Sequence, residues 1–181
     1  YNPNLPVRIS MDWNVDPLCA VIWQKYTQKP CIRVVQEIAL YHRGEGDLMT
    51  QRMCDEIRRK FKNREYYAYP DATGAARHSS ARFSDIEIIR RNGFMVHVRH
   101  INPLVINRVN SMNNNLAKGN MIIDPKCKGL IRDLEQVVNK EGTRDIDKTT
   151  NKELTHLSDA LGYYVDYKHP TVKPVLGTTD R

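Results

Sequence analysis

Apolar and polar positions along the chain read as three consecutive strands followed by an alternation of helices and strands. Val7, Ile9, Met11 and Trp13 alternate with Arg8, Ser10 and Asp12, the two-residue period of a half-buried strand. Asn14, Asp16 and Pro17 turn the chain into a second strand over residues 18–23. Gln28-Lys29-Pro30 is another turn, leading to a third strand over 31–40. Such short connections predict an antiparallel meander.

The period then changes. Gly46 and Asp47 open a helix to about residue 62, striped by Met49, Met53, Ile57 and Phe61, with Arg52, Glu56, Arg59 and Lys60 on its other faces. Residues 66–70 read as a strand ending at Asp71. Ser84-Asp85-Ile86-Glu87 is a capping box for a short helix closed by Gly93. Residues 94–99 alternate as a strand. Asn102-Pro103 then supplies the cap and first turn of a helix to residue 118, with Gly119 past its end. Residues 121–123 form a short buried strand, and Asp124-Pro125 caps a helix striped by Leu130, Ile131, Leu134, Val137 and Val138. Residues 140–151 are polar with both charge signs, an exposed loop or hairpin. Thr150-Asn151-Lys152-Glu153 is a second capping box, opening a final helix to about residue 167. The expected class is α/β: a mixed sheet of three antiparallel strands, then alternating helices and strands, with helices on both faces. A ribonuclease-H-like fold requires that order, which several other α/β folds share. Residues 1–169 are expected to form the domain, with 170–181 a loosely ordered tail.

Composition narrows the class. A chain of 181 residues suits one domain with a full core. No apolar run approaches the roughly 20 residues of a membrane span, so no membrane association is expected. The first residue is Tyr1 rather than Met; an excised domain of a longer protein, processing or cloning would each produce that. Cys19, Cys31, Cys54 and Cys127 are widely spaced without a C-x-x-C pair, which argues for reduced thiols rather than structural zinc. His97 and His100 face opposite sides of a strand and make a poor metal pair. Lys and Arg number 28 against 21 Asp and Glu, a net charge of +7, and residues 52–99 carry +5 of it. A basic surface favours polyanionic partners by counterion release, and equally confers solubility.

The acidic residues bring in the chemistry. Phosphodiester hydrolysis needs an activated nucleophile and stabilisation of two crowded oxygens, which two divalent ions about 3.5–4 Å apart provide. Hard cations take oxygen ligands, so several carboxylates must converge on one point. Asp12 lies near the end of the first strand, on its more polar face. Asp71 follows a later strand, before Ala72-Thr73-Gly74. On the final helix His156, Asp159 and Tyr163 share one face, while Leu157, Ala160, Leu161 and Tyr164 can pack on the sheet. Each residue also has a plainer role: Asp12 and Asp71 as turn formers, His156 and Asp159 as a solvated or locally hydrogen-bonded pair. Their order on strand, strand end and final helix carries the argument.

In that order the chain resembles the C-terminal nuclease domain of the large terminase subunit of tailed bacteriophages, a ribonuclease-H/RuvC-like endonuclease. The resemblance runs from about Val7 to Tyr164. It rests on Ser10-Met11-Asp12-Trp13-Asn14-Val15-Asp16-Pro17, Tyr69-Pro70-Asp71-Ala72-Thr73-Gly74, Phe83-Ser84-Asp85 and Gly93-Phe94. Further along it takes in Ile106-Asn107-Arg108-Val109-Asn110-Ser111 and Met121-Ile122-Ile123-Asp124-Pro125. It ends with Asp147-Lys148 and the segment from Leu154 to Tyr163. Asn14 departs from it, standing where many members have glycine.

The resemblance implies that Asp12, Asp71 and Asp159 form a catalytic triad holding two Mg²⁺ or Mn²⁺ ions, Asp12 bridging both, with His156 a further ligand in some members. It implies cleavage of concatemeric viral double-stranded DNA during genome packaging, in the host-cell cytoplasm. The implied partners are an ATPase motor domain in the same full-length chain, a small terminase subunit and a portal. No G-x-x-x-x-G-K-[ST] loop occurs here, so this chain is not that motor. Asp16 is an additional carboxylate that serves either a metal or an ordinary Asp-Pro turn. Lys148 matches a family position and is a candidate for meeting a phosphate, and Arg77 and Arg82 are candidates for the DNA backbone; all three also read as exposed charge. Two alternatives stand beside this one. The same fold serves junction resolvases and transposases, and a non-catalytic DNA-binding or motor-docking module would carry the acids as a vestige.

Overall fold

A computed structural model describes residues 1–13, 16–44, 46–62, 64–75, 83–143, 145–147 and 154–171. Strands β1 (Val7–Asp12), β2 (Leu18–Lys25) and β3 (Ile32–Leu40) form the expected antiparallel meander, pairing Asp12 with Cys19 and Leu18 with Leu40. Helix α1 (Met49–Lys60) leads to β4 (Tyr66–Pro70), which pairs parallel with β1. Helix α2 (Asp85–Arg91) leads to β5 (Met95–Val96), parallel with β4. Helix α3 (Val105–Ala117) precedes β6 (Met121–Ile123), parallel with β3 on the other edge. Helices α4 (Lys128–Gln136) and α5 (His156–Lys168) complete a six-stranded mixed sheet of order β5-β4-β1-β2-β3-β6.

Helices cover both faces. Val7, Ile9 and Met11 pack with Met53 and Ile57 of α1 and Ile89 of α2. On the opposite face Val21, Trp23 and Tyr69 pack with Leu130 of α4, Met112 of α3 and Leu161 and Tyr164 of α5. This corrects the reading of β1 as half-buried: Ser10 and Asp12 lie beneath α5, at 0% and 5% exposure. Ser10 is satisfied there by accepting from Trp23 Nε1 at 3.1 Å. Strand β6 is an edge rather than a fully buried strand, with Ile122 exposed.

Several helix starts differ from the local signals. The Ser84–Glu87 capping box forms as expected, but α1 begins only at Met49, because Gly46 takes a positive φ and Asp47 pairs with Arg52 instead. Asn102 does not cap α3; its Oδ1 accepts from the backbone of Ala72 at 2.8 Å, and Leu104 precedes the helix. Asp124 closes its own turn by accepting from Lys126 N. Helix α4 starts later, and Glu37 of β3 caps it through space, accepting from Gly129 N and Leu130 N at 2.8 and 2.7 Å. Helix α4 ends at Gln136, which leaves Val138 exposed and outside the stripe. Strand β5 spans two residues, not six. Helix α5 starts after Thr155, whose φ of 87° interrupts a helical path; the Thr150–Glu153 box lies outside the described residues. Where the sequence suggests a loop or hairpin over 140–151, a single antiparallel bridge joins Asn139 to Ile146. Of the tail, Thr171 donates its backbone N–H to Ser111 Oγ, and 172–181 lie outside the described residues.

All four cysteines are free, and burial pushes the Cys19 and Cys54 thiols up to about 12. Among the described residues no helix is long and apolar enough to cross a membrane.

Candidate active site

The parallel pairing of β1 with β4 sets Met11 opposite Pro70, so Asp12 and Asp71 come at the same end of adjacent strands. Asp71 N–H donates to the carbonyl of Met11 at 3.1 Å, and the Asp71 carboxylate accepts from the backbone and hydroxyl of Thr73. Trp13 holds this turn from the β1 side, donating its indole N–H to the Asp71 carbonyl at 3.2 Å. Gly74 lies directly beneath that ring. A Cβ there would sit 2.0 Å from Trp13 Nε1, so only glycine allows the approach.

Helix α5 brings the third carboxylate. Leu157, Ala160, Leu161 and Tyr164 are buried on the sheet, and the Tyr164 ring lies 3.7 Å, centroid to centroid, from Trp23. That packing leaves Asp159, 8% exposed, beside the strand ends and sets His156 Nδ1 3.7 Å from Asp12 Oδ2. Asp133 of α4 fixes the start of the helix, its Oδ2 accepting from Leu157 N at 3.0 Å and Ser158 N at 3.2 Å. Two carboxylate caps thus run in series from β3 through α4 to α5, each satisfying otherwise orphaned N–H groups.

The electrostatics follow from this convergence. Burial is the main cause holding the Asp12 carboxyl above its ordinary value; the His156 hydrogen bond opposes it, and the nearby Asp159 and Asp71 charges raise it further. Tyr163, also raised chiefly by burial, feels Arg108 and all three aspartates. Arg108 of α3 is the countercharge: its Nη2 lies 3.2 Å from Asp159 Oδ1, and its guanidinium sits 4.3 Å from the Tyr163 ring centroid. Its stem rests against Gly162, and its Nε and Nη1 are buried without a hydrogen-bond partner. Sequence reasoning placed Arg108 in a matching segment but gave it no role. The signal was there: it is the only charged residue of α3.

Three buried carboxylates with an imidazole alongside form a hard-donor set of the type that takes Mg²⁺ or Mn²⁺. Their mutual repulsion, felt at Asp12, is of the kind a cation relieves. Among the described residues no three such groups are close enough to hold an ion as they stand, and Arg108 occupies one side of Asp159. The donor types therefore fit, and their spacing would have to close around an ion. Asp16 lies in the exposed turn after β1, its Oδ1 accepting from His42 N at 3.1 Å. Arg77, Arg82 and Lys148 lie outside the described residues.

No protein-family model matches the sequence, and no curated protein matches it. Solved structures do resemble it. The large terminase of a thermophilic bacteriophage, in complex with ATP-γ-S, superposes with a TM-score of 0.68 at 18% identity, covering 92% of this chain and 41% of that one. The large terminase nuclease domain of bacteriophage SPP1, with bound Mn, gives 0.56 at 18% identity, covering 90% and 86%. The P22 large terminase nuclease domain gives 0.66 at 11% identity, covering 94% and 85%. The chain thus spans under half of the large terminase in complex with ATP-γ-S and about 85% of the two nuclease-domain structures. At these identities the likeness speaks for architecture, and the architecture of this chain is the ribonuclease-H-like fold of large terminase nuclease domains.

Proposed function

We propose that this chain is a metal-dependent endonuclease that cleaves double-stranded DNA, with Asp12, Asp71 and Asp159 as its metal-binding carboxylates. One observation carries the reading: buried Asp12 of β1 feels the charges of two further buried aspartates, Asp71 at the end of β4 and Asp159 of α5, on a fold like that of terminase nuclease domains. Such a cluster weakens the folded state unless a cation offsets it. The bound Mn of the SPP1 nuclease domain supports a divalent ion here.

Two Mg²⁺ or Mn²⁺ ions, when bound, supply a nucleophile at neutral pH and stabilise the attacking and leaving oxygens. The residues of this chain do the positioning. Asp12, Asp71 and Asp159 would hold the ions, Asp12 from the end of β1, Asp71 from the turn after β4 and Asp159 from the first turn of α5. His156 supports Asp12, and the Trp13–Gly74 contact fixes the turn that carries Asp71. Arg108 holds Asp159 in place while no divalent ion is bound.

In its setting the substrate is concatemeric viral DNA cut during genome packaging in the host-cell cytoplasm. The partners are an ATPase motor domain of the same full-length chain, a small terminase subunit and a portal. The test is plasmid nicking in Mn²⁺ by Asp12→Ala and Asp159→Ala. Loss of cleavage in both, with circular dichroism unchanged, supports the reading, and retained cleavage in both rejects it. Branched DNA cut in preference to plain duplex would point to a junction resolvase instead.

A further inference from the structure

We infer that a basic, aromatic groove at the far end of α5, built on Arg8, Lys25, Lys168 and the Tyr67 ring, binds the phosphate backbone of DNA engaged at the aspartates. The groove is a recess of about 330 Å³ between β1, β4 and the last turn of α5, and among the described residues no Asp or Glu lines it. Arg8 is fixed within it by aromatic neighbours. Its Nη1 donates to the Tyr69 hydroxyl at 2.7 Å, and its guanidinium lies 4.6 Å from the Tyr67 ring centroid and 5.7 Å from that of Trp23. Among the described residues neither Arg8, Lys25 nor Lys168 has a carboxylate partner. A guanidinium pre-oriented by aromatic faces and left without an anion is suited to phosphate. The crowding of cations is felt by its histidines: burial first, then Lys168 and Arg8, holds His97 below its ordinary value, and burial with Lys25 and Lys168 does the same to His169.

The groove and the aspartates lie on the same two elements, Arg8 and Asp12 on β1 and Lys168 and Asp159 on α5. The groove shares Tyr69 and His97 with a small recess of about 10 Å³ lined also by Arg99, Asn102 and Tyr163, the tyrosine that feels all three acids. Two independent paths give the separation. Arg8 and Asp12 lie on one face of β1, four residues or about 13 Å apart along the strand. Asp159 and Lys168 are nine residues apart on α5, about 13.5 Å along the helix. At about 3.4 Å per nucleotide on one strand, either path spans about four nucleotides. A strand engaged at the aspartates and lying along the surface beside α5 therefore reaches the cations within half a helical turn of DNA. The inference rests on the nuclease reading only for what occupies the aspartates.

The test is metal-free binding of a fluorescently labelled short DNA duplex in EDTA, followed by anisotropy over a range of KCl concentrations. The doubly reversed variant Lys25→Glu, Lys168→Glu is expected to bind at least about tenfold more weakly and to lower the salt slope by about two, roughly one for each phosphate that is no longer neutralised. Reversal of Lys60 and Lys62, at the end of α1 on the opposite face, is expected to leave the slope near its original value. An unchanged slope in the groove variant overturns the inference, as does an equal drop in the α1 variant. Because the assay contains no metal, its result is independent of cleavage. A protein that binds through the groove but never cuts loses only the nuclease reading, and one that cuts with an unchanged slope loses only the groove.

Discussion

Nη2 of Arg108 lies 3.2 Å from Oδ1 of Asp159, and both side chains are buried. A buried pair of this kind is costly to break from one side, because the remaining charge is stranded. Here the stranded charge would sit beside Asp12 and Asp71. Arg108→Ala is expected to destabilise the metal-free protein by about 3–5 kcal/mol. Mn²⁺ can supply the missing countercharge, so the variant's thermal midpoint is expected to rise more on adding Mn²⁺ than that of the unmodified protein. Equal Mn²⁺ shifts in the two proteins would show that the guanidinium and the ion do not share Asp159.

Asp12 should make metal-free stability depend on pH. Its folded-state pKa is raised above the ordinary 3.8, so the folded protein holds this proton more tightly than the unfolded chain does. The corresponding stability is fully present below the ordinary value and is lost as pH rises through the folded one. Asp12→Asn, which carries no charge to lose, is expected to melt a few degrees higher at neutral pH in EDTA, with the gap closing as pH falls toward about 4. Thermal melts across that range measure it.

Asp133 reaches the active site only through the first turn of α5. Asp133→Ala removes the acceptor of two N–H groups and is expected to cost about 1 kcal/mol through loss of the helix cap. It is also expected to weaken Mn²⁺ binding in calorimetry, because His156 and Asp159 lie on that turn. Asp133→Asn retains an acceptor oxygen and should recover most of both losses. Mn²⁺ affinity unchanged in the Ala variant would limit Asp133 to general stability.

Gly74→Ala introduces a methyl group where the Trp13 indole already lies, and overpacking of this kind costs about 1–3 kcal/mol. The displaced ring would release the Asp71 carbonyl, so tryptophan emission is expected to shift and Mn²⁺-dependent nicking to fall. In a Trp13→Leu background the clash is absent, and Gly74→Ala is expected to add little further loss. Strict additivity of the two changes would refute the contact.

Much of this architecture is written locally. The alternation of Val7 to Asp12, the Met53–Ile57 stripe and the Ser84–Glu87 capping box each depend on neighbours within a few positions, so element order and type could be read from the chain. The three aspartates could be named because their places on strand, strand end and final helix follow from that order. The remaining features depend on packing between distant segments. Polar Ser10 and Asp12 suggest a solvated face, yet α5 covers them, since a two-residue period records that a face is polar and not what lies over it. The starts of α4 and α5 are set by Glu37 and Asp133, whose oxygens reach backbone N–H groups only once β3, α4 and α5 have packed. Arg108 meets Asp159 only once α3 has packed beside α5. Only the tertiary structure brought Arg108 against Asp159, His156 toward Asp12 and the charges of Asp71 and Asp159 within reach of Asp12, because electrostatic coupling depends on separation in space rather than along the chain.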